Sequence, residues 1–116
     1  MNDCIFCKIA AGEIGKLVYE DDYVAAFDDL NPVAETHVLI VPKKHIASLN
    51  EIDAEEHGAM AGHALAAAAK IAAERGLTDG YRLVSNCGAH GGQTVMHLHF
   101  HLVGGRAMGW PPFPEE

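Results

Sequence analysis

Three histidines occupy every second position of the segment 96–103, and apolar residues stand between them. Successive side chains of a β-strand point to opposite faces, so this run predicts a strand with one imidazole face and one apolar face. The imidazole face carries His97, His99 and His101, and the apolar face carries Met96, Leu98, Phe100 and Leu102. Neighbouring imidazoles on such a strand lie about 6.5 to 7 Å apart, close enough to share a metal ion or a small anion.

Turn and cap residues divide the remaining sequence into short elements. We expect a helix at 4–11, a hairpin of strands 17–20 and 23–27, a strand at 36–41, a long helix at 53–75 and a strand at 81–85. Because most strands follow one another directly, the fold class is α+β, with an antiparallel sheet and a helix on one face. The chain is interpreted as a single domain, 1–116, with an irregular tail at 104–116.

Composition narrows the classes of function. The 116 residues are 49% hydrophobic, which is enough for one globular core. The net charge of −8 argues against a protein that binds nucleic acid. The N-terminal sequence has no export signal, and no segment is long and apolar enough to span a bilayer. We therefore expect a cytoplasmic protein without a membrane partner.

A glycine-containing loop precedes the histidines, and two chemical interpretations compete for them. In one, the imidazoles bind a catalytic metal ion; in the other, one imidazole is a nucleophile and the others position a phosphate. Gly91 and Gly92 let backbone N–H groups converge on an anion, and Gln93 and Thr94 add side-chain donors. No Asp or Glu stands between Gly80 and Gly109 to complete a metal site, which favours the phosphate. A turn that only satisfies backbone geometry is the alternative.

Several segments together resemble the histidine triad (HIT) family, in particular its Hint branch. The first is the run from Gly92 to Val103, with its pattern of histidines and apolar residues. The others, in chain order, are Cys4-Ile5-Phe6-Cys7-Lys8-Ile9, Ala26-Phe27-Asp28-Asp29-Leu30-Asn31-Pro32, Pro42-Lys43-Lys44-His45-Ile46, and Gly104-Gly105-Arg106 followed by Trp110-Pro111-Pro112. The resemblance covers almost the entire chain. It implies a sheet of about five strands with one long and one short N-terminal helix, assembled as a two-fold homodimer.

The resemblance also implies a reaction, the hydrolysis of the P–N bond of purine nucleoside 5′-phosphoramidates. His99 would attack the α-phosphorus and form a nucleotidyl-histidine intermediate, with His101, His97 and Thr94 as the other catalytic residues. We expect the non-attacking nitrogen of His99 to donate to a backbone carbonyl. Two alternatives remain open, a dinucleoside polyphosphate hydrolase and a nucleotide-binding protein with little catalysis.

The nucleotide site implied by the resemblance draws on both ends of the chain. Asp29 would accept from the ribose hydroxyls, and Asn86 would contact ribose or phosphate. The alternative for the apolar members is a purely structural role in the core. The full set is Ile5, Phe6, Ile9, Phe27, Asp29, Leu30, Asn86, Gly92, Gln93, Thr94, Val95, His99 and His101.

Two of the three cysteines, Cys4 and Cys7, form a C-x-x-C. Two thiolates at this spacing are half of a tetrahedral zinc site, and no strand precedes them as in a redox motif. The resemblance to bacterial relatives implies His45 and His97 as the remaining ligands. Zinc would then be structural, and no catalytic cofactor is expected. Cys87 and His90 receive no role.

Overall fold

The computed structural model describes residues 3–113, whose strands form one five-stranded antiparallel sheet. Its strands are β1 (Tyr19–Glu20), β2 (Val24–Asp28), β3 (Thr36–Pro42), β4 (Tyr81–Val84) and β5 (Phe100–Gly104). They lie in the order β1-β2-β3-β5-β4. The helices are α1 (Ile5–Ala10), α2 (Ala54–Glu74) and a 3-10 turn at Leu49–Glu51. The predicted α+β class, with one long helix and one short N-terminal helix, is confirmed.

The central strands β2 and β3 are buried on both faces, which explains their uninterrupted apolar sequences. One face, including Val38 and Ile40, packs against α2. The opposite face, including Leu39 and Val41, packs against Phe6 of α1. The sequence predicted a helix on one face only. The short helix covers the other face and encloses part of the surface on which the histidines lie.

The long helix follows its sequence signals. Asp53 is the N-cap, and its carboxylate accepts a hydrogen bond from the backbone N–H of Glu56 at 2.8 Å. Gly76, with a positive φ of 71°, follows the last helical turn. Small residues of α2 such as Ala64 and Ala67 are buried against the sheet. The alanine-rich sequence therefore lets the helix lie close to β3 and β5.

The histidine strand is shorter than predicted, since β5 begins at Phe100 and not at Met96. In the register of the ladder, Ile40 pairs with Phe100, so Leu98 would lie opposite Pro42. Proline has no N–H to donate, and the Pro42 carbonyl is bonded to the ring of His97 at 2.9 Å. The N–H of Leu98 donates instead to the carbonyl of Ile46 at 2.6 Å, which ends the ladder.

The alternation of side chains survives outside the ladder, with one exception. Leu98 and Leu102 are buried on the α2 side of the sheet, and Phe100 packs against the same cluster. Met96 was expected on that face, but it is 54% exposed because the chain bends at 95–97, before the strand begins.

Other boundaries differ slightly from the predictions. Strand β1 has only two residues, and the 3-10 turn at Leu49–Glu51 was not predicted. The tail is irregular from Gly105 to Phe113, whereas Gly104 still belongs to β5 and residues 114–116 lie outside the described part. Within residues 3–113, no helix combines the length and the apolar character that crossing a bilayer requires.

Candidate active site and metal-ligand cluster

A cavity of about 610 Å³ lies between α1, the end of β2 and the segment leading into β5. Most of the predicted nucleotide-site residues line it, namely Ile5, Phe6, Ile9, Phe27, Asp29, Leu30, Thr94, Val95, His99 and His101. Three predicted members, Asn86, Gly92 and Gln93, are not among its lining residues. The lining residues that the sequence did not single out are Ile14, Gly15, Lys16, Asp28, Asn31 and Leu39.

His99 is held with one ring nitrogen tied to the backbone. Its Nδ1 lies 2.7 Å from the carbonyl oxygen of His97, so we assign the proton to Nδ1, which donates to that carbonyl. The hydrogen bond expected for His99 is therefore present. In the neutral imidazole the lone pair is then on Nε2. Although only 5% of the residue is exposed, His99 lines the cavity, and Phe6 packs edge-on against its ring at 5.0 Å.

His101 is oriented by a fourth histidine that the sequence analysis missed. His37 Nδ1 accepts from the backbone N–H of Val33 at 3.1 Å, so the proton of neutral His37 is on Nε2. His37 Nε2 lies 2.9 Å from His101 Nδ1, to which it donates. His101 must then carry its own proton on Nε2. This chain of hydrogen bonds leaves the Nε2–H of His101 as the ring donor for a ligand in the cavity.

The signal for His37 in the sequence was weak. His37 is a single histidine near the start of the apolar strand β3. No feature of the neighbouring sequence links it to His101, which is 64 positions away. Only the pairing of β3 with β5, in which Leu39 lies opposite His101, brings the two imidazoles together.

Burial favours the neutral form of two of these imidazoles, His101 and His97. Burial, followed by repulsion from His99 and His37, lowers the pKa of His101 from 6.5 to about 4, while Asp29 acts in the opposite direction. Burial also lowers the pKa of His97. His101 is therefore an uncharged hydrogen-bond donor near neutral pH.

The apolar wall of the cavity is partly core and partly surface. Phe27 is 7% exposed and belongs to the core cluster on the α1 face, so it serves the core and the cavity together. Leu30 is 94% exposed, which excludes the purely structural interpretation for this residue. Asp29 stands between them, with its Oδ1 accepting from the N–H of Asn31 at 2.8 Å and its Oδ2 3.4 Å from His37 Nε2.

The glycine loop is held by Gln93, whose side chain is engaged within the protein. Its Nε2 donates to the carbonyls of Ala47 at 2.8 Å and Val95 at 3.1 Å, and its Oε1 accepts from the N–H of Gly88 at 3.0 Å. The predicted donation to a phosphoryl oxygen would have to break one of these bonds. Thr94, which lines the cavity, retains a hydroxyl there.

The cluster of Cys4, Cys7, His45 and His97 has the donors of a metal site. Their ligand atoms all lie within 4.8 Å of one another. His97 Nδ1 is 3.2 Å from Cys4 Sγ and 3.4 Å from Cys7 Sγ, and His45 Nδ1 is 3.3 Å from Cys7 Sγ. Zinc–sulfur bonds of about 2.3 Å and zinc–nitrogen bonds of about 2.1 Å would separate such atoms by about 3.6 Å. A tetrahedral ion thus fits after an opening of a few tenths of an ångström.

The outer contacts of His97 also suit a metal ligand. A ligating imidazole usually donates its second N–H to an acceptor, and His97 Nε2 lies 2.9 Å from the carbonyl oxygen of Pro42. This contact places the lone pair on Nδ1, which faces the two sulfur atoms. His97, predicted as a catalytic residue, is fully buried and is not a lining residue of the cavity, and its carbonyl oxygen accepts the hydrogen bond from His99 Nδ1.

A second convergent group, Asp29, His37 and His101, fits a metal poorly. If an ion bound His37 Nε2, then Nδ1 would need to carry a proton, but Nδ1 already faces the N–H donor of Val33. The ring would have to become an imidazolate or lose that hydrogen bond. This group is better suited to holding a proton between two imidazoles.

Comparison with known proteins places this chain among HIT proteins. A model of the HIT domain family matches residues 13–108. An uncharacterized HIT-like protein of Synechococcus elongatus is 54% identical over 111 residues, which are 95% of this chain and 96% of that protein. The purine nucleoside phosphoramidase of Escherichia coli K12 is 48% identical over 109 residues, covering 92% of this chain and 91% of that enzyme.

Solved structures agree with this assignment. The crystal structure of a HIT family hydrolase from Legionella pneumophila is 49% identical and matches with a TM-score of 0.91, covering 96% of this chain and 100% of that one. A histidine triad protein from Clostridium difficile is 50% identical with a TM-score of 0.88, covering 94% of this chain and 96% of the other.

Proposed function

The chain belongs to the HIT domain family, and we propose that it is a hydrolase of the P–N bond of purine nucleoside 5′-phosphoramidates. One observation carries the proposal. The Nδ1 of His99 is tied to the His97 carbonyl at 2.7 Å, so that the lone pair of Nε2 is the one available in a cavity lined by apolar residues and Asp29. The similarity to the E. coli phosphoramidase supports the choice of substrate class.

In the first step, Nε2 of His99 would attack the α-phosphorus and displace the amine. Attack makes the imidazole cationic, and the Nδ1–H···O=C bond to His97 stabilises that charge because the carbonyl oxygen is the negative end of its dipole. A neutral imidazole is a competent nucleophile near pH 7. The product of this step is a nucleotidyl-His99 and the free amine.

The amine nitrogen must gain a proton as the P–N bond breaks. His101 is the nearest imidazole to His99, with ring centroids 5.0 Å apart, and its Nε2–H is left for the substrate because His37 occupies Nδ1. It would donate a hydrogen bond to a phosphoryl oxygen or to the leaving nitrogen, while the proton that the amine gains comes from solvent, since a neutral imidazole that gave up its N–H would become an imidazolate. In the second step, water attacks phosphorus, the P–Nε2 bond breaks, and the nucleoside monophosphate leaves with the water oxygen. His99 returns to its neutral form, and the proton that water loses goes back to solvent.

The nucleoside would lie against the apolar wall of α1 and β2. Phe6 and Phe27, which pack edge-to-face against each other at a centroid separation of 5.5 Å, both line the cavity, and Ile5 and Leu30 add exposed apolar surface. Asp29 Oδ2 would accept a ribose hydroxyl, since Oδ1 is held by Asn31. Apolar surface beside a carboxylate is therefore better suited to binding a nucleoside than a phosphate ion alone.

The test is to trap the intermediate. Wild-type protein is mixed with an adenosine 5′-phosphoramidate, quenched within milliseconds, and examined by intact mass for a nucleotidyl adduct. We expect the adduct in the wild type, and neither adduct nor turnover in His99→Ala. His90→Ala, an exposed loop histidine without an assigned role, is the matched control and should behave as wild type. Turnover retained by His99→Ala would contradict the mechanism, and a strong preference for dinucleoside polyphosphates would favour the related hydrolase.

We propose that the cluster of Cys4, Cys7, His45 and His97 holds a structural zinc ion. Bound zinc would supply four ligand bonds joining the N-terminal segment to the sheet. The distances and the His97–Pro42 contact support it. Metal analysis should find about one zinc per chain in the wild type and in Cys87→Ser, and much less in Cys7→Ser. Equal metal content in all three proteins would rule out the assignment.

We also propose a two-fold homodimer. Strand β4 lies at the edge of the sheet, so among residues 3–113 no strand pairs with its outer side, and its Tyr81 and Val84 are 43% and 37% exposed. Pairing of two such edges in a dimer would cover the exposed strand edge, which is otherwise prone to pair with other chains. Light scattering after size-exclusion chromatography should give twice the chain mass of 12.4 kDa. A monomer at micromolar concentration would contradict the proposal.

A further inference from the structure

The proposed metal cluster and the apolar wall of the cavity are parts of the same short segment. Cys4 is the N-cap of α1 and Cys7 lies inside it. Between and beyond the two cysteines, Ile5, Phe6 and Ile9 line the cavity. The residues that would bind the ion and the residues that would contact the nucleoside therefore move together.

Helix α1 cannot maintain its position by itself. It has six residues, and isolated helices of that length are unstable in water. Among the described residues, its ring contacts are those of Phe6 with Phe27 of β2 and with His97 and His99, which precede β5. The sulfur atoms of Cys4 and Cys7 provide the second attachment, through His97 and His45. Without the metal this attachment consists of direct Cys–His contacts of 3.2 to 3.4 Å, which are weaker than four ligand bonds.

A second connection runs through His97 to the nucleophile. The Nδ1 of His97 faces the sulfur atoms, while its carbonyl accepts the hydrogen bond from His99 Nδ1. His97 is fully buried, and both of its ring nitrogens are held, Nδ1 by the sulfur atoms and Nε2 by the Pro42 carbonyl, so these contacts fix the residue whose carbonyl binds His99. The orientation of His99 thus depends on the residue that completes the metal cluster.

We infer that metal binding at this cluster and nucleotide binding in the cavity are thermodynamically coupled, with Cys4, Cys7 and His45 as positioning residues for a site they do not touch. The inference rests on the proposed function, because it takes the cavity as the nucleotide site. The metal is not a reactant. It raises nucleotide affinity by fixing α1 and, through His97, the ring of His99.

Coupling between two binding sites is reciprocal. The affinity for the metal therefore changes with nucleotide if the sites are coupled, and stays the same if the metal only tethers the N-terminal segment. If the metal raises the affinity for a nucleotide by some factor, the nucleotide raises the affinity for the metal by the same factor. A metal that only holds the N-terminal segment, without ordering the cavity wall, would have the same affinity with and without nucleotide.

The experiment measures AMP binding by titration calorimetry to zinc-loaded and chelator-stripped protein, with far-UV circular dichroism to check that α2 and the sheet persist. We expect AMP to bind about 10-fold more weakly to the stripped protein, within the usual range of such coupling. Cys7→Ser should resemble the stripped protein, and Cys87→Ser, which keeps all four cluster residues, should resemble the loaded one. Equal AMP affinity in loaded and stripped protein overturns the coupling and leaves the proposed function standing. Absence of AMP binding to either form overturns the proposed function and the inference with it.

The reciprocal measurement starts from the holoprotein and follows the metal and not the nucleotide. Zinc affinity is measured by competition with a chromophoric chelator, with and without saturating AMP. We expect AMP to tighten zinc binding by the same factor as zinc tightens AMP binding. An unchanged zinc affinity refutes the inference.

Discussion

Acid should destabilise this protein through His101 in particular. Burial and the neighbouring imidazoles of His99 and His37 lower the pKa of His101 from 6.5 to about 4, and Asp29 does not compensate. The folded state therefore binds a proton at this site less readily than the unfolded chain does. Its stabilising contribution is complete above about pH 6.5, and it is lost as the pH falls from there towards 4.

The difference between 6.5 and about 4 corresponds to about 3 kcal/mol of unfolding free energy, of which most is lost between pH 7.5 and pH 4.5. The assay is urea unfolding of the wild type and of His101→Gln at several pH values in that range. Glutamine does not titrate, but its amide can still accept from His37. Comparison at each pH cancels the effect of other groups, including protonation of the metal ligands.

We expect the stability advantage of the wild type over His101→Gln to shrink by about 2 to 3 kcal/mol between pH 7.5 and pH 4.5. A gap that stays constant would show that burial does not suppress protonation of His101. A gap that widens at low pH would show that the attraction of Asp29 for the imidazolium outweighs burial. Either result would refute the reasoning.

Three further predictions concern single residues. His37→Leu removes the donor to His101 Nδ1 and should lower kcat by about 10²-fold, with partial recovery in His37→Gln, measured by steady-state release of the amine. Gly91→Ala would place a Cβ against the backbone carbonyl of Cys87 and 2.9 Å from the Cys87 nitrogen. We therefore expect the free energy of unfolding in urea to fall by about 1 to 3 kcal/mol and the activity to be reduced. An unchanged free energy of unfolding would contradict the loop geometry. Asp53→Ala should cost about 1 kcal/mol, while Asp53→Asn retains most of the cap, as thermal unfolding would report.

Local sequence signals predicted most of the elements correctly. The cap at Asp53, Gly76 and the long alanine-rich run between them fix α2 from residues close in sequence. The strand alternation likewise predicts that His97, His99 and His101 share a face. The predicted start of the last strand at Met96 was wrong. The observed start at Phe100 depends on Pro42, whose missing N–H ends a ladder between segments far apart in the chain.

The sequence by itself determined the chemistry that this protein carries, namely three alternating imidazoles, a hydroxyl and glycines before them, and two thiols near the N-terminus. These follow from residue type and from the period of a strand, both of which are local. Only the tertiary structure decided which ring nitrogen of His101 holds the proton, since that depends on His37, brought beside His101 by the pairing of β3 with β5. This partner is 64 positions away and comes from a segment that packs against the imidazole, so no local pattern in the sequence specifies it.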